Sequence, residues 1–444
     1  MTKVGFVSLG CSKNLVDTEV MLRTLHDAGY EITPDETEAE IIVINTCGFI
    51  ESAKKESIDN ILDIAWLKEH GKCKHIIATG CLVERYREEV IKEMPEVDAL
   101  IGVGSLSHIA DACRAVERGE TYIRFDDKET SPLGGERLLT TPEYTAYLKI
   151  AEGCDNRCTY CAIPLIRGRM RSRPMEDIVK EAQDLEALGV RELNLIAQDT
   201  SRYGLDLYGR YSLADLVRRL TEQTSIPWIR LLYCYPDKIT DDLIEEMRRN
   251  DRLLSYMDIP MQHISDHVLT RMNRHGGADL IRSVVKKLRD RVPGVVLRTT
   301  AMVGFPGETE EDFQELCEFI KEARFDHFGA FTYSPEEGTA AASYPDQMDE
   351  QTKQDRYDVL MATQLTVTEE LNRAKIGKTL RVLCDGYDPV AEIHYGRSYA
   401  DAPDVDGRVY FSAPRRIAPG TFVDVKINEA VDYDLIGTIA GDNK

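Results

Sequence analysis

The amino-acid sequence predicts a multidomain α/β protein with three parts in series. These are an N-terminal doubly wound α/β domain, a central partial (β/α)6 barrel and a small C-terminal antiparallel β-barrel. Three observations carry this reading. The 444 residues suffice for two to four hydrophobic cores of ordinary domain size. From residue 4 to about 374, short β-branched runs alternate with amphipathic stretches, the pattern of parallel sheets covered by helices. Beyond 375 the helical period stops, and short strands broken by Gly, Pro and Asp take over.

The elements follow in order. Val4–Leu9, Ile41–Asn45 and His75–Thr79 are brief apolar runs suited to a sheet buried on both faces, with helical stretches at Leu15–Ala28 and Ala53–Glu69 between them. They define an N-terminal domain over 1–125. Residues 126–146 are rich in turn formers and charge and read as a linker. A second alternation fills 147–374. Its strand candidates are Tyr147–Ala151, Glu192–Ala197, Trp228–Tyr233, Tyr256–Pro260, Val295–Val303 and His327–Tyr333. Helical segments at Glu176–Leu188, Leu213–Gln223, Asp241–Arg249, Asp279–Arg291 and Glu310–Ala323 separate them. Six strands are too few for an eightfold barrel, so a six-fold, partly open one is expected, trailed by a long helix over about 350–374. In 375–444, Lys378–Cys384, Ala391–Tyr395, Arg408–Phe411 and Thr421–Glu429 read as the strands of a small barrel of the oligonucleotide-fold type.

Composition narrows the function classes. The formal charge is −22, with 55 Lys and Arg against 77 Asp and Glu. No third of the chain is basic: 15 basic residues face 26 acidic ones up to Glu136, 31 face 40 in 137–374, and 9 face 11 beyond. Non-specific nucleic-acid binding is therefore disfavoured, because it needs clustered positive charge. No apolar run approaches the ~18 residues of a membrane span, and Met1–Val7 reads as a strand rather than a signal peptide. A cytoplasmic protein is expected. Its eleven cysteines, an odd number, then read as metal ligands or buried thiols rather than a disulfide framework.

Six of those cysteines sort by position. Cys154, Cys158 and Cys161 form a C-x3-C-x2-C run directly after the first central strand, at the C-terminal mouth where barrels keep their active sites. Three thiolates on one loop suit three irons of a cubane 4Fe-4S cluster, leaving the fourth iron open. A zinc site or three incidental thiols is the alternative, although the spacing lacks the paired C-x2-C of structural zinc. Cys11, Cys47 and Cys81 each follow a predicted strand and sit beside a glycine. In a parallel sheet such positions share one edge, where ligands bind, so the three are expected to converge. Chance burial of three thiols is the alternative here. Cys73, Cys113, Cys234, Cys317 and Cys384 show no such placement.

Two motifs carry a family resemblance over essentially the whole chain. C-x3-C-x2-C with Tyr160 before the last cysteine resembles the radical S-adenosylmethionine superfamily. The three-part order, with three N-terminal cysteines and a TRAM-like C-terminal β-barrel, resembles its methylthiotransferase family. Gly10–Glu19 (GCSKNLVDTE) and Thr46–Ser57 (TCGFIESAKKES) resemble the branch that modifies an aspartate of small-subunit ribosomal protein twelve. The tRNA-modifying branch tends instead to carry Gln-Met-Asn after its first cysteine. Ser12 and Thr18 depart from the common proline and serine, and neither touches a ligand position.

The resemblance implies two 4Fe-4S clusters, on Cys154, Cys158 and Cys161 and on Cys11, Cys47 and Cys81. It implies S-adenosylmethionine as cofactor and an electron-donor protein such as flavodoxin or ferredoxin. The first cluster would cleave the cofactor and generate a radical that abstracts hydrogen; the second would present the sulfur that is methylated and transferred. This requires the N-terminal sheet edge to face the barrel mouth. Tyr160, Gln198, Asp199, Gln262, Gly304 and Gly307 lie at that mouth and are candidates to hold S-adenosylmethionine or substrate; loop packing or helix capping is the alternative for each. Arg167–Arg173 (RGRMRSR) is the one dense basic run, suited to a carboxylate of cofactor or substrate, or else to the protein's own acids.

The C-terminal segment bears on the substrate. Tyr387, Tyr395, Tyr399, Tyr410 and Phe411 could serve as base platforms, but Arg415-Arg416 is the only local basic pair, and Asp401, Asp404 and Asp406 share one loop. Such an acidic barrel suits the basic ribosomal protein better than a phosphate backbone. A tRNA adenosine methylthiotransferase is the alternative enzyme, and an iron–sulfur or zinc-binding RNA adaptor the non-enzymatic one.

Overall fold

A computed structural model describes residues 1–440; the last four residues of the range expected for the C-terminal barrel lie outside them. Residues 1–124 form a six-stranded, wholly parallel sheet from β1 (Lys3–Ser8), β2 (Glu31–Ile32), β3 (Ile41–Thr46), β4 (His75–Gly80), β5 (Ala99–Ile101) and β6 (Tyr122–Arg124). The spatial order is β2-β1-β3-β4-β5-β6. β3 is buried at every residue and β4 at all but its first, as expected of strands covered on both faces. Helix α1 (Ser12–Asp27) leaves β1, α2 (Glu51–His70) leaves β3, and the short α3 (Cys81–Arg85) leaves β4. The sequence pattern identifies β1, β3 and β4 but not β2, β5 and β6, whose two or three residues are too short to carry a period.

The central sheet contains β7 (Thr145–Lys149), β10 (Glu192–Ile196), β11 (Trp228–Leu231), β12 (Leu253–Gln262), β13 (Val296–Val303) and β14 (His327–Thr332), again all parallel. Its order, β14-β13-β12-β11-β10-β7, leaves two edges, the open six-stranded arc expected from the count. A two-residue ladder, β8 (Ala151–Glu152) against β9 (Arg171–Ser172), fastens the loop after β7. The largest apolar core lies between this sheet and its helices, with Leu148, Leu193, Leu195, Ile229, Met257 and Leu297 fully buried.

No helix or strand occurs from Phe125 to Tyr144, yet this stretch is pinned. Buried Arg137 pairs with Glu19 of α1 at 2.8 Å and with Glu181 at 2.8 Å, and Thr140 donates its N–H to Glu19. After the helix Glu350–Arg373, β15 (Thr379–Asp388), β16 (Ile393–Ser398), β17 (Val409–Ser412), β18 (Phe422–Val431) and β19 (Asp434–Ile439) close into a barrel of order β15-β16-β17-β19-β18. The sequence pattern shows four of these strands. β19 escapes it because Gly437 and Thr438 interrupt a short run, and it pairs parallel to β17 to close the barrel.

The aspartates of the 401–406 loop mostly do not face a partner. Asp401 and the carboxylate of Asp406 are covered against the central sheet: Tyr256 donates its hydroxyl to Asp406 at 2.6 Å, Arg298 lies 3.3 Å from Asp406, and His327 lies 3.7 Å from Asp401. Only Asp404 of the three is exposed, and its carboxylate accepts from the Tyr147 hydroxyl. Three of the five aromatic candidates are likewise committed. Phe411 is in the barrel core, Tyr399 donates to Gly294 O on the central domain, and Tyr387 lies under Arg416 and against His394. Two of the three aspartates of this loop therefore brace the barrel onto the sheet instead of facing a partner.

Candidate active site

The three N-terminal cysteines arise at the C-terminal ends of adjacent parallel strands. Cys11 is the N-cap of α1 after β1, Cys47 follows β3, and Cys81 opens α3 after β4. Because β1, β3 and β4 are neighbours in the sheet, parallel pairing alone brings the three loops to one edge. Asn14, one turn into α1, ties them together. Its Nδ2 donates to Leu9 O and Thr46 O, both at 2.9 Å, and its Oδ1 faces the Cys81 thiol at 3.8 Å. Gly10 has φ +87°, and a Cβ there would lie 2.8 Å from the Cys47 sulfur, so only glycine lets the first loop approach the second.

The second triplet lies on the Gly153–Cys161 loop directly after β8. Cys154 N–H donates to Gly168 O at 3.1 Å and Cys161 N–H to Cys158 O at 3.0 Å, which curls the loop. Thr159 is clamped to the C-terminal end of the short helix Asp266–Arg271 through Met272 O and Arg271 O. Around it, Arg274 donates to the Tyr160 hydroxyl at 3.2 Å and lies over the Tyr235 ring at 4.1 Å, while the Tyr235 hydroxyl is 3.5 Å from the Cys158 sulfur. The sequence pattern does not single out Arg274 or Tyr235: each lies in a loop far along the chain from the cysteines it touches.

The two triplets meet. Cys81 packs against Ala162 and Ile166, on and just before the short helix Ile163–Arg167 that follows Cys161. Arg167 then crosses the interface. Its guanidinium lies 2.6 Å from Asp17 and 3.2 Å from Glu152, donates to Asn14 Oδ1, and reaches the Cys81 sulfur at 3.5 Å. Lys149 adds a second buried cation, 2.5 Å from Asp17 and 2.8 Å from Glu152. The N-terminal sheet edge thus faces the mouth of the central sheet, as the resemblance requires. Of the basic run, Arg167 and Arg173 are buried on the protein's own acids, Arg173 pairing with Glu181 at 2.6 Å, and Arg171 donates to Ser131 O. Arg169 alone projects, 76% exposed.

The remaining candidates divide. Tyr160 lines a cleft of about 530 Å³ together with Phe49, Ile50 and Glu51 of the N-terminal domain and Tyr333 and Glu336 of the central one. Gln198 donates to Glu152 at 2.7 Å, which joins it to the buried ionic network, and its Oε1 is buried without a partner. Asp199 accepts from Asn156 at 2.8 Å beside the cysteine loop. Gln262 adopts φ +71° at the end of β12 and also buries an unpartnered Oε1. Gly304 and Gly307 face the protein: a Cβ would strike Lys353 at the first and Asp346 and Arg271 at the second. Next to them, His263 is fully buried with an unpartnered Nε2, 3.8 Å from Glu308.

The donor sets fit iron–sulfur clusters chemically. All eleven cysteines are free thiols. Burial, with smaller contributions from neighbouring Cys81 and Cys11, pushes the Cys47 thiol up to about 12, and burial pushes Cys154 up to about 12 with Cys158 adding to it. Cys161 is raised by burial and by Cys158, and Cys81 by burial against the pull of Arg167. Cys47 and Cys81 of one triplet, and Cys154 and Cys161 of the other, are thus desolvated thiols whose ionisation burial opposes, a cost that cationic iron removes. Among the described residues no three Cys, His, Asp or Glu side chains converge on a single metal ion. Multi-iron clusters hold their thiolates farther apart than the ligands of one ion.

Comparison with known proteins places this geometry. Residues 3–102 match the profile of an uncharacterized protein family, UPF0004, residues 148–320 that of the Radical SAM superfamily, and residues 376–440 that of the TRAM domain. The chain is 48% identical over 438 residues to the ribosomal protein uS12 methylthiotransferase RimO of Thermoanaerobacter sp. (strain X514), covering 98% of this chain and 100% of the relative. It is 49% identical to that of Desulforamulus reducens, with 99% and 100% covered, and 49% identical to that of Geobacter sulfurreducens, with 98% of each covered. The chain belongs to the ribosomal protein uS12 methylthiotransferase family. Among solved structures, the radical S-adenosylmethionine methyltransferase TsrM from Kitasatospora setae matches with a TM-score of 0.55 at 14% identity, covering 74% of this chain and 73% of that one. That likeness concerns the fold. Within the family's three-part order, Cys11, Cys47 and Cys81 fall in the first profile match and Cys154, Cys158 and Cys161 in the second.

Proposed function

We propose that the protein is a radical S-adenosylmethionine methylthiotransferase that places a methylthio group on the β-carbon of an aspartate in ribosomal protein uS12. In this reading Cys154, Cys158 and Cys161 hold one 4Fe-4S cluster, and Cys11, Cys47 and Cys81 hold a second. The observation that carries it is the meeting of the two triplets across one interface, with Cys81 on Ala162 and Ile166. When bound, the first cluster with S-adenosylmethionine supplies hydrogen abstraction from an unactivated carbon, and the second supplies sulfur for transfer.

The chain's own residues position these groups. Arg274 and Tyr235 wall one side of the Cys158 sulfur and hold the Tyr160 ring at the cleft. The unpartnered Gln198 and Gln262 oxygens are acceptors available to a polar ligand, and buried polar atoms without partners are costly unless a ligand satisfies them. Asp199 orients the cysteine loop through Asn156. The domain division 1–125, 126–146, 147–374 and 375–444 is part of the proposal, supported by the two six-stranded sheets and the closed barrel. So are an electron donor such as flavodoxin or ferredoxin and action in the cytoplasm, where ribosomal proteins are made. No helix of the described residues is long and apolar enough to cross a membrane.

Anaerobic reconstitution followed by iron analysis and spectroscopy tests the assignment. Cys154→Ala should lose about half the iron and all 5′-deoxyadenosine formation. Cys11→Ala should lose the other half and stop methylthio transfer while sparing cofactor cleavage. Mass spectrometry of uS12 and tRNA from a deletion strain tests the substrate: loss of the modification from tRNA, with uS12 unchanged, would refute it.

A further inference from the structure

Helix α2 leaves Cys47 and runs along the outside of the N-terminal sheet, burying Ser57, Ile61 and Ile64 beneath it. That inner face accounts for its packing. Its outer face carries a second apolar stripe that folding does not require: Ile58, Leu62 and Trp66 are 36%, 50% and 59% exposed. At 3.6 residues per turn, spacings of four and eight place the three side by side. Glu51 lies seven residues before Ile58, two turns back on the same face, and lines the cleft that contains Tyr160. The stripe therefore runs from about 10 Å to about 22 Å along the helix from Glu51 at the lip of that cleft.

Its charge setting is mainly acidic, with one exposed cation, Lys55, on the same face two turns before Leu62. Lys54 is committed to Glu51 and Glu336, and Lys68 to Asp98. Glu56, Asp59 and Asp63 flank the stripe, and among the described residues no ion pair engages them. Trp66 stacks on His70 at 4.6 Å and 15°, which holds the indole plane to the surface. An ordered, exposed tryptophan in an apolar patch with a polar rim is the composition of an interface hot spot.

We propose that this face of α2 is the docking surface for the protein substrate. Its occupant is a lysine- and arginine-rich protein that sets an apolar anchor on Ile58, Leu62 and Trp66 and its cations against Glu56, Asp59 and Asp63. The residue to be modified then reaches the Tyr160 cleft. The inference rests on the methylthiotransferase reading above. Three carboxylates against the single exposed cation Lys55 disfavour RNA here, because phosphate would be repelled.

The test is binding of purified uS12 to the reconstituted enzyme, by titration calorimetry at low and moderate salt. Emission of Trp66 is a second readout, since the other tryptophan, Trp228, is buried. Trp66→Ala should weaken binding by about 30-fold, the size of a hot-spot truncation, and raise KM for uS12 with kcat unchanged. Asp59→Asn with Asp63→Asn should flatten the salt dependence. Cofactor cleavage without uS12 should stay at the wild-type rate in every variant, because none of these residues lies in the cleft. Binding of Trp66→Ala within twofold of wild type would overturn the proposal. So would a wild-type dimer that Trp66→Ala converts to monomer without changing uS12 affinity, since a second copy would then own the face. Failure of the wild-type enzyme to bind uS12 at all would instead remove the functional reading beneath it.

Discussion

Arg167→Met is the sharpest probe of the interface between the triplets. The substitution keeps an unbranched apolar stem of similar reach and deletes the charge. Two buried carboxylates, Asp17 and Glu152, now share two buried cations, Lys149 and Arg167. Removing one cation leaves a carboxylate uncompensated inside the protein, which costs about 3–5 kcal/mol. Asp17→Asn alone should also destabilise, because it strands positive charge. The double variant restores balance through Lys149 and Glu152, 2.8 Å apart, so it should cost less than the two singles summed, by about 2 kcal/mol. Urea unfolding of the apoprotein at neutral pH, followed by circular dichroism, reads all four corners of the cycle. Glu152 adds a pH signature. Burial opposes its ionisation, but Lys149 and Arg167 prevail and hold its carboxyl well below the usual range. A depressed carboxyl stabilises above its unfolded value, and that stability is lost as pH falls toward the folded one, so Arg167→Met should flatten the acid limb. Strict additivity, or a loss under 1 kcal/mol for Arg167→Met, would refute the network as a working unit.

Gly10→Ala puts a Cβ 2.7 Å from the Cys47 Cβ at φ +87°, and should lower iron content by about half while leaving 5′-deoxyadenosine formation intact, as measured after reconstitution. His263 is held down to about 3 by burial, with Arg356 and His267 lowering it further and Asp312 opposing. The unfolded chain takes up a proton near 6.5 that the folded one refuses, so stability should fall between those values by on the order of 4 kcal/mol, and His263→Asn should abolish that slope in urea titrations. Asp406→Ala removes the acceptor of the Tyr256 hydroxyl and a partner of Arg298. It should loosen the C-terminal barrel and speed tryptic cleavage near Lys375 and Lys378, at a cost of about 3 kcal/mol.

Much of this architecture is legible without coordinates. Period-2 and period-3.6 patterns locate β1, β3 and β4, all six central strands and four barrel strands. They fail at β2, β5, β6, β8, β9 and β19, where strands are shorter than the pattern that reveals them or a glycine breaks it. Long-range polar pairing is harder still. The Arg167–Arg173 run reads as a ligand-facing cluster, yet its buried members pair with Asp17, Glu152 and Glu181. The acidic 401–406 loop reads as a surface for a basic partner, yet Asp401 and Asp406 fasten one domain to another. An unpaired charge in a sequence does not announce whether its counterion will be solvent, substrate or a residue far along the same chain.

The sequence by itself determined the order of three folded parts and the position of six cysteines just after strands, because local periodicity is encoded over a few residues. Only the tertiary structure decided that the two sheets present their C-terminal ends to each other. It also decided that Asn14, Asp17, Lys149, Glu152 and Arg167 join them, and that α2 is left with an uncovered apolar face. Those facts depend on which surfaces bury each other, and burial is a property of the assembled chain.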